Sequence, residues 1–312
     1  MSGGSLVVRG GAIGDFILTL PVLAALRRTF PGRRLTVLGR PGVAELARAG
    51  GLADQLWSIE ARGLAGFLVE EGACDPDLAA LFAGQSLIVS YLFDPDGTFH
   101  RNLRRCTAAR IVAGPHRPDE FSGVHASEAL LAPLAALGIV DADPVPRLAI
   151  PQDPGRSPAA ASPTLAVHPG SGSPRKNWPE ARWAEILRRL ATASALRVLL
   201  VGGEAEAGRA ARLAAALPPE RVEVAEGLPL VELAGRLARC RGFVGHDSGI
   251  THLAAALGLP CLALWGESRA DVWRPRGARA LIFRDPAGLS NLPVERVMEA
   301  VGSWGREAGI PL

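Results

Sequence analysis

Four short segments place charged or hydroxyl side chains beside glycines, each directly after an apolar run. In the first, RGGAIGD, glycines permit a tight turn and Asp15 falls where a helix opens. A carboxylate there either caps the helix or serves as a general base, and both interpretations stay open. The segment misses the G-x-G-x-x-G pattern because Ala12 occupies the second glycine position, which disfavours a dinucleotide-binding turn.

The second segment, HPGSGSPRKNWP, joins a predicted strand to a helix near Pro179. Successive backbone N–H groups and the compact ammonium of Lys176 are suited to a diphosphate, and Arg175 offers a second cation. The alternative is a surface loop with solvated cations, since the fixed Walker spacing is absent. Trp178 and Trp183 are expected to pack in the core.

The remaining two segments also follow predicted strands. In VGGEAE, Glu204 either accepts hydrogen bonds from ribose hydroxyls or is an ordinary acid at a helix N-terminus. In HDSGITH, Asp247 and Ser248 fall at the N-terminus of a predicted helix over 249–257, which makes an anion site beside a carboxylate. His252, near the same helical end, is either structural or a phosphate contact.

The elements that position these segments alternate between short apolar strands and amphipathic helices, the pattern of a parallel sheet covered on both faces. The alternation stops at a proline-dense run and then restarts. We therefore predict an acceptor-binding N-terminal domain over 1–150, a linker over 151–163 and a donor-binding domain over 164–312. The last helix of the chain is expected to pack back on the N-terminal domain. Two doubly wound domains bind ligand in the cleft between the carboxyl ends of their strands.

Composition limits the class of protein. The 312 residues carry a net charge of +3 and 48% hydrophobic residues, which fits a globular chain and gives no case for nucleic-acid binding. The four cysteines lack metal-ligand spacing, and the sequence shows neither a signal-peptide pattern nor a long apolar window. We therefore predict a cytoplasmic protein and leave peripheral membrane contact open. Asp75-Pro-Asp77 and Asp94-Pro-Asp96 match ordinary turn chemistry, so we expect no metal and no cofactor.

Taken in order, GAIGDFILTLP, HPGSGSPRKNWP, VGGEAE, HDSGITHLAAALGLP and LWG resemble the glycosyltransferase family 9 enzymes, the ADP-heptose:lipopolysaccharide heptosyltransferase group. The resemblance covers nearly the whole chain. It implies an inverting, metal-independent GT-B transferase with two Rossmann-like domains. The sequence departs from the family pattern at Gly11-Ala12, where family members often have hydroxyl residues, and at His246. The resemblance therefore does not establish heptose as the transferred sugar.

The resemblance also implies roles for individual residues. Asp15 corresponds to the proposed base. The donor site would comprise Ser171, Gly172, Lys176, Glu204, Leu228, Asp247, Ser248, Gly249 and His252. In the N-terminal domain, Arg101, Arg104 and Arg105 suit the anionic groups of a saccharide or glycolipid acceptor such as the lipopolysaccharide core, although a solvated helix face explains them equally well. A lipid-linked acceptor would bring transient contact with the inner membrane.

The resulting hypothesis is sugar transfer from a nucleoside diphosphate, ADP first among the candidates, to an acceptor hydroxyl. Asp15 would remove the proton, while Lys176 and the helix end at Ser248-Gly249 would stabilise the departing diphosphate. Three alternatives stay open: a non-catalytic nucleotide-sugar-binding module, a GT-B-fold nucleotide-sugar epimerase, and an NAD-dependent dehydrogenase, which the imperfect glycine pattern disfavours.

Overall fold

The computed structural model describes residues 3–151, 163–203, 208–277, 279–286 and 288–312, so most of the predicted linker and the start of the helix predicted at Glu204 lie outside the described residues. The chain divides into two units, Met1–Ala149 and Ile150–Leu312. Within the described residues, no helix is both long and apolar enough to span a membrane. The four cysteines all fall within the described part and are free thiols.

The first unit is built on a five-stranded parallel sheet of order β3-β2-β1-β4-β5. Its elements in chain order are β1 (Gly4–Arg9), α1 (Ile13–Ile17), α2 (Leu20–Thr29), β2 (Leu35–Gly39), α3 (Pro41–Ala49), β3 (Gln55–Ser58), α4 (Pro76–Ala83), β4 (Gln85–Ser90), α5 (Thr98–Arg104), β5 (Arg110–Ala113) and α6 (Ala126–Leu131). The strand order reverses between β1 and β4, so the turns after these two strands leave the sheet at its topological switch point.

The second unit is built on a six-stranded parallel sheet of order β11-β10-β9-β6-β7-β8. Its elements are β6 (Thr164–His168), α7 (Glu180–Ala193), β7 (Arg197–Gly202), α8 (Arg209–Ala214), β8 (Val222–Glu226), α9 (Leu230–Leu237), β9 (Gly242–His246), α10 (Gly249–Ala256), β10 (Cys261–Leu264), α11 (Ala270–Trp273), β11 (Ala280–Phe283) and α12 (Val294–Ala308). Here the order reverses between β6 and β9. The prediction of two doubly wound parallel α/β domains is confirmed.

Central strands with continuous apolar runs explain the core of the second unit. Trp178 and Trp183, each 1% exposed, pack edge to face at 5.4 Å, as the sequence predicted. The last helix, α12, buries Val297, Val301 and Trp304 in this same core and packs against α7. Burial of these large side chains fixes the position of the strand ends that carry the polar segments.

The sequence identified the edge strands β3 and β8 and missed the other two edge strands, β5 and β11. Each has four residues and little burial, so neither shows the apolar run that marks a central strand. It also missed α4, where Asp75 accepts hydrogen bonds from the amides of Asp77 and Leu78 at 3.1 Å each. The first Asp-Pro-Asp segment is therefore an N-cap followed by a helix.

Candidate functional site

In the second unit, the polar segments meet at the carboxyl edge of β6 and β9. These strands pair with His168 opposite Gly245, so the loop after His168 and the turn after His246 leave the sheet side by side. The loop ends in a 3-10 turn at Pro174–Lys176, and the turn leads into α10. A switch point of this kind is where doubly wound sheets bind their ligands.

Lys176 and Asp247 form an ion pair across this edge. The Nζ and Oδ2 atoms are 2.5 Å apart, with the Asp247 side chain only 9% exposed and that of Lys176 40% exposed. Lys176 is also the chain's one lysine among 34 basic residues. Because an ammonium has three donors, Lys176 can keep Asp247 and still present hydrogen-bond donors to an anion.

Ser248 caps α10 and ties it to the neighbouring strand. Its Oγ accepts the amide of Thr251 at 3.3 Å and lies 3.2 Å from Nδ1 of His168. Gly249 is the first residue of α10, so the first free amides of the helix lie beside the Lys176–Asp247 pair. His252 is 6% exposed within the first turns of the same helix. These residues combine an ammonium with a positive helix end, which suits a phosphate.

His246 anchors the loop that carries Lys176. Its Nε2 accepts the amide of Trp178 at 2.9 Å, which leaves Nδ1 as the protonated nitrogen, 3.3 Å from the carbonyl oxygen of Gly170. The imidazole is fully buried against Trp183, at 5.3 Å between ring centroids. The sequence analysis noted His246 only as unusual and missed this role; its place directly after a strand and beside Asp247 was the available signal.

Of the other predicted donor residues, the structure describes Ser171, Gly172 and Leu228. Ser171 is buried, and its hydroxyl donates to the carbonyl of Ser173 at 2.8 Å, while Gly172 is exposed with open space beside its Cα. Leu228 is half-buried and precedes Pro229, the N-cap of α9. Glu204 lies outside the described residues.

Arg209, which the sequence analysis did not single out, also supports the loop. Its Nη1 donates to the carbonyl of Pro169 at 3.1 Å, and its Nε lies 3.5 Å from Glu180. A hydrogen bond from Arg212 lowers the pKa of Glu180, because the guanidinium favours the ionised carboxylate. The loop is thus held by Arg209 as well as by His246.

In the first unit, Asp15 lies at the carboxyl edge of β1. It is the third residue of α1, and its Oδ2 accepts the amide of Ala12 at 2.9 Å. Gly11 has a φ of +95°, and a Cβ built there would lie 2.7 Å from Oδ2 of Asp15, so the glycine both allows the turn and leaves room for the carboxylate. The structure therefore shows the helix-capping hydrogen bond that one of the two interpretations of Asp15 predicted. With 32% of the side chain exposed, the carboxylate remains reachable for proton transfer.

Arg9 is the last residue of β1, and its side chain lies close to Asp15. Its Nη2 is 3.7 Å from Oδ1 of Asp15, and its Nη1 donates to the carbonyl of His116 at 2.8 Å. The side chain is only 3% exposed, and burial lowers its pKa against the opposing effect of Asp15. A buried guanidinium stays charged, so it attracts the Asp15 carboxylate and restricts its orientation.

Asp94 follows β4, the strand beside β1. Burial tends to raise its pKa, but hydrogen bonds from His100 and from the amides of Phe99 and His100 outweigh this and lower it. Within the described residues, no group of three or more histidine, cysteine or acidic side chains is placed to hold a metal ion.

The three arginines predicted for the acceptor lie on or just after α5. Arg101 donates to the carbonyl of Asp96, Arg104 to that of Ala109 at 3.0 Å, and Arg105 to that of Gly72 at 2.9 Å. Because α5 returns from the carboxyl edge of the sheet, Arg104 and Arg105 lie towards the amino edge, and Arg101 is the nearest of the three to the helix start.

Comparison with known proteins gives one family. A model described as glycosyltransferase family 9 (heptosyltransferase) matches residues 120–297. Lipopolysaccharide heptosyltransferase 1 of Pseudomonas aeruginosa is 40% identical over 114 residues, which are 36% of this chain and 30% of that protein. The matched segment thus spans less than a third of that curated relative.

Solved structures resemble the chain over its full length. A family 9 glycosyl transferase from Veillonella parvula superposes with a TM-score of 0.78 at 19% identity, covering 98% of each chain. The E. coli heptosyltransferase WaaC with ADP has a TM-score of 0.71 at 20% identity, covering 96% of this chain and 99% of that one. At these identities the likeness shows a shared fold, which is the GT-B architecture of two parallel-sheet α/β domains.

Proposed function

Since the chain belongs to glycosyltransferase family 9, we propose that it transfers a sugar, heptose or a close analogue, from a nucleoside diphosphate to a hydroxyl of an anionic saccharide or glycolipid. The observation that carries the proposal is the Lys176–Asp247 pair beside the N-terminus of α10, at the switch point of the second sheet. Ammonium and free amides together match a diphosphate leaving group better than they match a nicotinamide or a metal.

The donor occupies the second unit in this proposal. Lys176 and the amides at Ser248 and Gly249 bind the diphosphate, with Ser171 and Gly172 lining the loop. Glu204, Leu228, Asp247 and His252 are proposed around the nucleoside and sugar, and ADP is the proposed nucleotide. The pair at 2.5 Å supports this because it holds the ammonium in place before the donor arrives, so little side-chain entropy is lost on binding.

Asp15 is the proposed general base. It takes the proton of the acceptor hydroxyl as that oxygen attacks the anomeric carbon, on the face opposite the bond to the diphosphate, and configuration is inverted. The bond to the diphosphate breaks with its electrons, and the charge on the leaving oxygen meets Lys176. General-base catalysis of this kind contributes about 10²- to 10⁴-fold. The contact with Arg9 supports the role because it keeps the carboxylate oriented.

We further propose an acceptor site in the first unit that extends along α5 from Arg101 to Arg104 and Arg105, so that a long acceptor reaches from the carboxyl edge of the sheet towards its amino edge. We also propose a cytoplasmic location and transient contact with the inner membrane. An acceptor of the lipopolysaccharide-core type carries the acidic groups that guanidinium forks bind. The proposed transfer is metal-independent, because the cation and the helix end already supply positive charge to the diphosphate. Transfer is therefore expected to continue at an undiminished rate in excess EDTA, and loss of activity that added metal restores would refute that part.

The test begins with the nucleotide. Thermal stability of the protein is measured with ADP, GDP, UDP and dTDP, because a bound ligand raises the melting temperature. Release of the preferred diphosphate from its sugar donor is then followed with and without a deacylated lipopolysaccharide core. Acceptor-dependent release supports transfer. Interconversion of the donor sugar without acceptor indicates an epimerase, and binding without turnover indicates a non-catalytic module.

A further inference from the structure

Phe93 is an exposed aromatic residue near the candidate base. It follows β4 by three residues, at the carboxyl edge of the first sheet, and 62% of it is exposed. Its ring meets that of His116 edge to face, with 4.5 Å between centroids and 61° between planes. This single contact leaves most of the Phe93 ring open to solvent. The Phe93 and His116 rings, both exposed, thus present an apolar surface at the carboxyl edge of the sheet.

The backbone next to Phe93 is held in place by Asp94. Asp94, the next residue after Phe93, has a side chain only 7% exposed that accepts the amides of Phe99 and His100 at 2.9 and 3.1 Å and lies 2.6 Å from Nδ1 of His100. A buried carboxylate with three hydrogen bonds restricts the preceding residue as well. Phe93 therefore presents its ring at low entropic cost to a ligand.

The surface is linked to Asp15 through one side chain. Arg9 donates to the carbonyl of His116 at 2.8 Å with Nη1, while its Nη2 lies 3.7 Å from Oδ1 of Asp15. The buried guanidinium of Arg9 thus contacts two residues: His116, whose ring packs against Phe93, and the candidate base Asp15. The ring surface and the carboxylate are therefore tied to the same guanidinium, at the carboxyl edge of the same sheet.

We propose that Phe93 and His116 form a platform for the sugar ring of the acceptor that bears the reacting hydroxyl. The inference rests on the proposed transfer. A sugar ring has one face of C–H groups that packs on an aromatic ring, and its hydroxyls point outward to polar neighbours such as Asp15. The donor diphosphate has its own cationic site in the second unit, so the ring beside the base is assigned to the acceptor.

The platform is tested with Phe93→Leu, which keeps an apolar side chain and removes the ring, and Phe93→Tyr, which keeps the ring. Phe121→Leu is the matched control, because Phe121 is a phenylalanine of the same unit and is 91% exposed. Binding of a deacylated lipopolysaccharide core oligosaccharide is measured by NMR titration on each full-length variant. The acceptor KM and ADP affinity are measured in parallel. Because Phe93 is 62% exposed, the melting temperature of each variant is expected to equal that of the wild type.

Loss of an aromatic contact is expected to weaken oligosaccharide binding about 3- to 10-fold in Phe93→Leu and to raise the acceptor KM similarly. Phe93→Tyr restores wild-type binding, Phe121→Leu leaves it unchanged, and all variants bind ADP alike. Unchanged binding in Phe93→Leu, equal weakening in Phe121→Leu or no binding by the wild type overturns the platform. Ring-dependent binding without any diphosphate release would keep the platform and refute the proposed transfer.

Discussion

Replacing Lys176 by methionine separates its two roles, as partner of Asp247 and as contact for the donor. Methionine keeps the length of the side chain and removes the charge. A carboxylate that is 9% exposed then loses its partner at 2.5 Å, and an unsatisfied buried acceptor costs about 1–3 kcal/mol. Because Lys176 is 40% exposed and water can replace it, we expect the lower end, about 1 kcal/mol, or a melting temperature lower by about 2–4 °C.

The loss in donor binding is expected to be larger. A charge-assisted hydrogen bond contributes about 1.5–3 kcal/mol, so the Kd for ADP rises about 10- to 150-fold. In the double variant Lys176→Met/Asp247→Asn the buried charge is gone, and stability returns while ADP binding does not. Calorimetric titration and thermal melts measure the two effects on the same samples.

Arg188→Met is the control for charge alone, because Arg188 is 54% exposed on α7 and pairs with Glu185, its neighbour on the same helix. It is expected to change stability by less than about 0.5 kcal/mol and ADP affinity not at all. If Lys176→Met lowers the melting temperature but binds ADP like the wild type, Lys176 is a structural partner and the proposed diphosphate site is wrong.

The two remaining variants concern the first unit. Asp15→Asn keeps the hydrogen bond from the amide of Ala12, so melting temperature and ADP affinity are expected to stay unchanged while the transfer rate falls about 10²- to 10⁴-fold, measured by diphosphate release. Gly11→Ala places a Cβ 2.7 Å from Oδ2 of Asp15 at a φ of +95° and is expected to cost about 1–3 kcal/mol and to reduce transfer through the displaced carboxylate.

Each of these variants has an outcome that contradicts the argument. Wild-type transfer by Asp15→Asn would remove Asp15 as the base. Gly32→Ala is the control for Gly11, because Gly32 has a φ of +79° but no atom within 4 Å of an added Cβ. It is expected to lower stability and leave transfer intact. Equal transfer in both glycine variants would show that crowding of Asp15 is not what matters.

The sequence predicted the positions of these groups along the chain better than their contacts. Strand-to-helix turns of a parallel sheet all emerge at one edge, so the segments at Lys176 and Asp247 were expected near each other. The ion pair itself joins residues 71 apart in sequence and depends on how the loop is held, which no local pattern contains. The resemblance to family 9 rested on several motifs in a fixed order. The match of the family model to residues 120–297 confirms it.

Other features depend on contacts between distant residues and gave no local signal. His246 follows a strand like many buried residues, and only the structure shows that it receives the amide of Trp178. Phe93 and His116 each come three residues after the neighbouring strands β4 and β5, and their ring contact depends on the register of an edge strand that was itself missed. Edge strands have little burial, so periodicity identifies them poorly.

The single lysine gives this protein an unusual chemical handle. No other side chain in the sequence has an aliphatic amine, so reagents selective for amines modify Lys176 and an α-amino group alone. Reductive methylation with ¹³C-formaldehyde preserves the positive charge and adds one isotopic label beside Asp247. The chemical shift of that label then reports occupancy of the site directly, without mutation and without knowledge of the natural acceptor.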